Sequence, residues 1–172
     1  MPVMTDPVRG LYDEHADALY AFLLQLVRHE ADVKDLLQEV FLKVAREPEK
    51  FRHLDNPRGY LLRIAHRQFL DLLRRRKSVS HRETEWEENG PKFFLPGNTA
   101  EGREFEAGVA NALGHLPEEQ RAVVHLKIWE DKTFMEIAEI LGISANTAAS
   151  RYRYALDKLE ERLRSFHGTS YE

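Results

Sequence analysis

Residues 133–156, TFMEIAEILGISANTAASRYRYAL, constrain the fold more tightly than any other stretch of the chain. Thr133 and Ser144 are good helix N-caps, each standing just before a helix-forming run. Between the runs, Gly142 can take the left-handed conformation that ends a helix, and Ile143 can bury itself under the corner. Two short helices joined by a three-residue turn containing glycine make a helix-turn-helix, whose second helix can enter the major groove of DNA. Ile137, Ala138, Leu141, Ile143 and Ala148 supply the small apolar core such a unit needs, and Ala138 is small enough for a close helix crossing. The second helix leaves Asn146, Thr147, Ser150, Arg151 and Arg153 as polar groups able to meet bases or phosphates. An ordinary helical hairpin with a solvated face fits this segment too, so the choice falls to the sequence upstream.

A net charge of −4 over 172 residues argues, taken whole, against a polyanionic partner, but its distribution argues the reverse. Residues 56–82 hold eight Lys/Arg against one acid, a net +7. They lie between residues 1–55, with seven basic and eleven acidic groups, and residues 83–107, with two basic and seven acidic. Screening acts over about 8 Å in physiological salt, so local sign decides what a surface attracts. The length allows one ordinary domain or two small ones. No apolar run approaches the roughly 20 residues of a membrane span, and the N-terminus lacks a signal-peptide core, which predicts no membrane insertion and a cytoplasmic location. With no cysteine there is no disulfide, thiol nucleophile or cysteine-ligated metal.

Helical spacing recurs along the chain. Leu11, Leu19, Phe22, Leu23, Leu26 and Val27 predict a helix over 7–29. A second is expected over 32–46, with Val33, Leu36, Leu37, Val40, Phe41 and Val44 as its apolar stripe. Leu42 falls off that stripe among the polar residues Asp35, Gln38, Glu39 and Lys43, where it is either plain surface or an anchor for a partner. Pro48 closes this helix, and Phe51 and Leu54 sit in a short connection. Asn56-Pro57 opens a third helix over 57–77, with Tyr60, Leu61, Ile64, Phe69 and Leu73 facing inward. Its other side carries Arg63, Arg67 and Gln68 and ends in Arg74-Arg75-Arg76-Lys77. One or two cations there would complement the helix dipole; four in a row, extending the face of Arg63 and Arg67, make a stripe suited to phosphates.

From 78 to 100 the helical period is lost. Gly90-Pro91 and Pro96-Gly97 mark turns in an acidic background, which reads as a linker. Trp86 and Phe93-Phe94-Leu95 are apolar enough to be expected against a folded domain. A helix over 101–114 follows, then one from Pro117 carrying Val123, Val124, Leu126, Ile128 and Trp129, then the helix-turn-helix, ending near 166. The predicted fold is all-α: two small helical domains, residues 1–77 and 101–172, joined by the linker 78–100.

This order resembles the two-domain sigma factors of bacterial RNA polymerase, and more narrowly their extracytoplasmic-function group. Asp35-Leu36-Leu37-Gln38-Glu39-Val40-Phe41 is similar to the family segment that docks on the clamp coiled coil of the polymerase. Pro57-Arg58-Gly59-Tyr60-Leu61-Leu62-Arg63-Ile64-Ala65, with Asp71 and the Arg74–Lys77 run, resembles the promoter-melting helix. Leu116-Pro117, then Glu136-Ile137-Ala138 through Ser150-Arg151, resembles the second DNA-binding domain. The resemblance implies that Asp35, Gln38, Glu39, Leu42 and Lys43 meet core RNA polymerase. It implies that Arg63, Arg67, Gln68, Arg74, Arg75, Arg76 and Lys77 meet the minus-ten promoter DNA. Asn146, Thr147, Ser150, Arg151 and Arg153 would then meet the minus-thirty-five element. It also implies an anti-sigma partner, and neither a cofactor nor a metal.

Two departures stand out. Where the family often has Arg-Asn after Ile-Ala, this chain has His66-Arg67, so a base-contacting asparagine is missing. Where the family often has Val-Lys in the recognition helix, this chain has Ala148-Ala149, a smaller core contact and one phosphate-seeking charge fewer. The rival reading is a helix-turn-helix regulator that does not act as a polymerase subunit, which leaves residues 35–41 no role beyond packing. Catalysis has little to support it: H-E-x-x-H, G-x-S-x-G and a Gly-rich phosphate loop are all lacking. His15, His29 and His66 read as surface groups rather than ligands, and His81, His115 and His125 have no metal-ligand spacing.

Overall fold

The computed structural model describes residues 7–78 and 100–168. The linker, including Trp86 and the Phe93-Phe94-Leu95 cluster, lies outside the described residues. Those described form eight helices and no strand: α1 (Pro7–Val27), α2 (Glu30–Arg46), α3 (Pro48–Arg52), α4 (Pro57–Ser78), α5 (Ala100–Gly114), α6 (Glu118–Ile128), α7 (Phe134–Leu141) and α8 (Ala145–Gly168). They divide into two compact units. The first holds α1 to α4; the second holds α5, α6, α8 and the N-terminal part of α7.

In the first unit α1, α2 and α4 pack on one another pairwise. Leu19, Phe22 and Leu23 from α1, Val33, Val40 and Val44 from α2, and Leu61 and Leu62 from α4 are fully sealed from water. Burying each such side chain contributes about 1.5–3 kcal/mol before the entropy of ordering is subtracted. All six expected stripe residues of α2 are buried. Some boundaries differ from expectation, α2 among them, which begins at Glu30 rather than at residue 32. The first helix stops at Val27 because Arg28 takes a left-handed φ of 58° and turns the chain into α2. Pro48, expected to open a bare connection, instead sits at the first turn of α3, where its missing N–H costs nothing. That turn buries Phe51, whose ring stands edge-on to Tyr60 at 5.4 Å.

The start of α4 follows from local chemistry. The Gly59 amide donates to Asn56 Oδ1 at 3.0 Å, and the Tyr60 amide to the Asn56 carbonyl at 3.3 Å. A Cβ at position 59 would lie 2.7 Å from Asn56 Nδ2, so the bare glycine leaves room for the cap. Downstream, Leu61, Ile64, Ala65, Gln68 and Phe69 form the buried stripe at i, i+3, i+4, i+7, i+8.

The second unit is built around Leu113, Leu116, Val124 and Ala155, with Val109, Tyr152 and Leu159 packed on them. Ile137 and Ala148 are fully buried, as a helix-turn-helix core requires. Val123, Val124 and Leu126 of α6 point inward, but Ile128 is 50% and Trp129 38% exposed. Both stand at the end of α6, where the helical stripe leaves the core. Trp129 lies stacked on the buried His125, ring centroids 5.5 Å apart.

Candidate nucleic-acid interface

The turn between α7 and α8 forms as its residues dictate. The Glu136 amide donates to Thr133 Oγ1 at 3.2 Å, and the Thr147 amide to Ser144 Oγ at 3.0 Å, so both N-caps are made. Gly142 has φ +68°, and the Ile143 amide reaches back to the Ala138 carbonyl at 3.1 Å, the six-to-one bond of a Schellman end. A side chain at Gly142 would meet nothing, so the demand there is on backbone conformation alone.

The α8 candidates differ in how they are held. Asn146 and Arg153 are exposed, and with Ser150 they share one face at i, i+4, i+7. Arg153 lies against its neighbour Tyr154, 5.5 Å from the ring centroid. Thr147 is drawn into the cap, accepting from the Ser144 hydroxyl at 2.8 Å. Arg151 is partly covered and pairs with Glu119 of α6 at 3.5 Å. A braced arginine can present a fixed fork to base edges. Tyr154, 55% exposed, borders this face, and its place next to Arg153 was the one signal for it in the sequence.

On α4, Arg63, Arg67, Arg74 and Lys77 are exposed and recur at i, i+4, i+11, i+14, a single face. Arg74 pairs with Asp71 at 3.2 Å, one turn back and open to solvent. Arg75 is exposed beside them. Arg76 falls on the opposite side of the helix and pairs with Asp32 of α2. Gln68 does not belong to this surface. It is 5% exposed, because its position is seven residues after Leu61 and four after Ile64, on the inward stripe. Phe69 is buried in the same stripe, while Tyr60 is half-buried between Phe51 and the Lys50 ammonium, 5.4 Å from its ring.

His15, expected at the surface, is 3% exposed: the Arg58 guanidinium of α4 donates to its Nδ1 at 3.1 Å, so α4 shields it. His29 does lie open, 3.3 Å from Asp32. Among the described residues no cluster of three or more His, Asp or Glu side chains could hold a metal ion.

A separate surface runs along α2. Asp35, Gln38, Glu39, Leu42 and Lys43 are all exposed on the side away from its six buried residues, and Leu42 keeps 43% of its surface open. Tyr12 of α1, 48% exposed, stands edge-on to Phe41 at 4.9 Å and adds an aromatic rim that the sequence did not single out. Among the described residues no helix is long and apolar enough to cross a membrane.

Comparison with known proteins follows the same division. Sigma-70 region 2 matches residues 11–79, and sigma-70 region 4 matches residues 107–159. The chain is 32% identical over 158 residues to the ECF RNA polymerase sigma factor SigL of Mycobacterium tuberculosis, covering 88% of this chain and 86% of that one. It is 26% identical over 165 residues to the ECF RNA polymerase sigma factor SigX of Bacillus subtilis, covering 93% and 85%. Among solved structures, the sigma factor RpoE in complex with the anti-sigma factor NepR from Bartonella quintana shares the fold, with a TM-score of 0.69. There the sequences are 21% identical, and 91% of this chain and 96% of that one are covered. CnrH, in complex with the cytosolic domain of CnrY, gives 0.61 at 24% identity, over 92% of this chain and 88% of that one.

Proposed function

The chain belongs to the sigma-70 family, in its extracytoplasmic-function group, and from that membership we propose how its parts divide the work. Residues 1–77 hold core RNA polymerase and open the minus-ten element; residues 101–172 read the minus-thirty-five element, with residues 78–100 as the linker. The protein directs promoter-specific transcription initiation by binding rather than by catalysis, in the cytoplasm, and an anti-sigma protein restrains it, as in the RpoE–NepR complex.

The observation that carries this reading is the two-faced α2. Six apolar residues seal one side, while Asp35, Gln38, Glu39, Leu42 and Lys43 remain open on the other. A DNA-binding regulator has no use for an exposed leucine framed by carboxylates far along the chain from its helix-turn-helix. A docking helix does, because a desolvated apolar anchor inside a polar frame gives both affinity and register.

On α4, Arg63, Arg67, Arg74, Arg75 and Lys77 track the strand backbone, so that bases leaving the duplex are held near a cationic helix. On α8, Asn146 and Arg151 meet base edges, and Ser150, Thr147 and Arg153 meet phosphates. Two weak readers on one chain gain affinity through effective concentration, so neither needs to bind tightly alone.

Purified core RNA polymerase is expected to be retained by the tagged chain and to start run-off transcripts from its promoters. Replacing Leu42→Asp, at an exposed position outside the core, is expected to weaken retention by at least about tenfold, the loss of one interface anchor. Absence of any association with core enzyme would reject the polymerase-subunit reading and leave a helix-turn-helix regulator.

A further inference from the structure

The Arg74–Lys77 run is not electrostatically uniform. Arg76 turns away from the face of Arg63, Arg67, Arg74 and Lys77 and meets Asp32 of α2, a partner 44 residues away in the chain. Asp32 also lies 3.3 Å from His29 Nδ1, and the same oxygen, Oδ2, takes both contacts. Its side chain is 20% exposed and that of Arg76 is 45% exposed. The neighbouring Arg74–Asp71 pair, 76% and 50% exposed, is more open to water and salt. Partial cover makes the Asp32–Arg76 pair the more persistent of the two, since screening weakens exposed pairs most.

We propose that Asp32 is a positioning residue for DNA binding: by pairing with Arg76 it withholds one guanidinium from phosphate in the free chain. The inference rests on the reading of the α4 basic end as a DNA contact and specifies which of its cations is available. A phosphate approaching Arg76 must share or displace a carboxylate already seated on its fork, and it meets the negative charge of Asp32 as it does so. Fewer counterions are then released on binding, and affinity for DNA of any sequence is held down. Asp32 stands three residues before Asp35 and seven before Glu39, on the polar side of α2. Its replacement therefore removes charge without opening the apolar core.

The experiment is fluorescence-anisotropy titration of the full chain with labelled duplex oligonucleotides of several unrelated sequences, between about 50 and 200 mM salt. Asp32→Asn is expected to tighten binding to all of them and to steepen the salt dependence by about one phosphate, a slope change near 0.9 that amounts to roughly three- to fourfold across this range. Asp32→Glu, which restores the charge, should behave as the parent. Arg76→Ala should abolish the gain, so that the double variant Asp32→Asn, Arg76→Ala matches Arg76→Ala alone.

The inference is overturned if Asp32→Asn leaves the slope unchanged or loosens binding. It is equally overturned if the gain survives in the Arg76→Ala background, for then Asp32 acts through the general field and not through Arg76. Arg74→Ala with Arg75→Ala separates this from the underlying reading. If that pair also leaves binding unchanged, the assignment of α4 to DNA fails. If the pair weakens binding while Asp32→Asn does nothing, only the role of Asp32 fails.

Discussion

The basic end of α4 and the first turns of α8 both offer arginines to a polyanion, yet they are built on different terms. On α4 the side chains are numerous, long and exposed, and their only common property is charge along a face. On α8 the first turn and one arginine are held in place. Ser144 and Thr147 lock the first turn, Glu119 braces Arg151, and Gly142 fixes the angle at which the helix leaves the corner. Mobile charge suits phosphate, whose position varies little with sequence; braced donors suit base edges, where an error of about 1 Å loses the bond. The same contrast runs through the interiors. The first unit buries His15 with a donor from Arg58, whereas the second buries His125 against the Trp129 ring, where burial lowers its pKa from the ordinary 6.5 to about 4.

That last difference gives the largest expected effect. His125 is neutral in the folded unit, while in the unfolded chain it binds a proton near 6.5. The stability it permits is whole above pH 6.5 and is lost as pH falls towards 4, by roughly 3 kcal/mol in all. Hydrogen exchange in α6 is expected to accelerate over that window ahead of exchange in α1. His125→Phe, which keeps a ring against Trp129, should remove the pH dependence; acid sensitivity of the second unit that persists unchanged in that variant would break the contrast.

Next in size, replacing Arg74, Arg75 and Arg76 together with Ala should weaken DNA binding at least about tenfold on every sequence and lower the salt slope by about two to three phosphates. Arg151→Ala should instead redistribute preference among upstream sequences, by about 1–3 kcal/mol at the position it reads, with a smaller change in slope. Promoter libraries titrated at two salt concentrations distinguish these outcomes, and similar behaviour of the two variants would erase the distinction between the helices. The smallest effect belongs to the cap. Ser144→Ala should cost about 1 kcal/mol of stability in the second unit, read by thermal unfolding, and should blur the sequence preference of α8 without touching α4.

Much of this is legible in the sequence. The six-residue stripe of α2, the Asn56 and Ser144 caps and the Gly142 corner are local events, set by periodicity and by side-chain oxygens within four residues of their amides. The charge face of α4 was readable in part: Arg63, Arg67, Arg74 and Lys77 share one helical stripe, but Arg76, expected with them, faces the opposite side and meets Asp32. Gln68 departs from the surface its polarity suggests, because its helical phase beside Leu61 and Ile64 puts it inside. His15 departs from the surface for a different reason: the Arg58 that accompanies it lies 43 residues away.

Sequence alone thus determined where the long helices lie to within a few residues, which side of each is apolar, and where cations gather, because those properties arise within a turn or two of chain. Tertiary structure alone decided how individual cations are held. Arg76 is met by Asp32 and Arg151 by Glu119, each across a helix packing that no local pattern specifies. A charge is written in the residue, but its availability depends on what the fold carries to within about 4 Å of it.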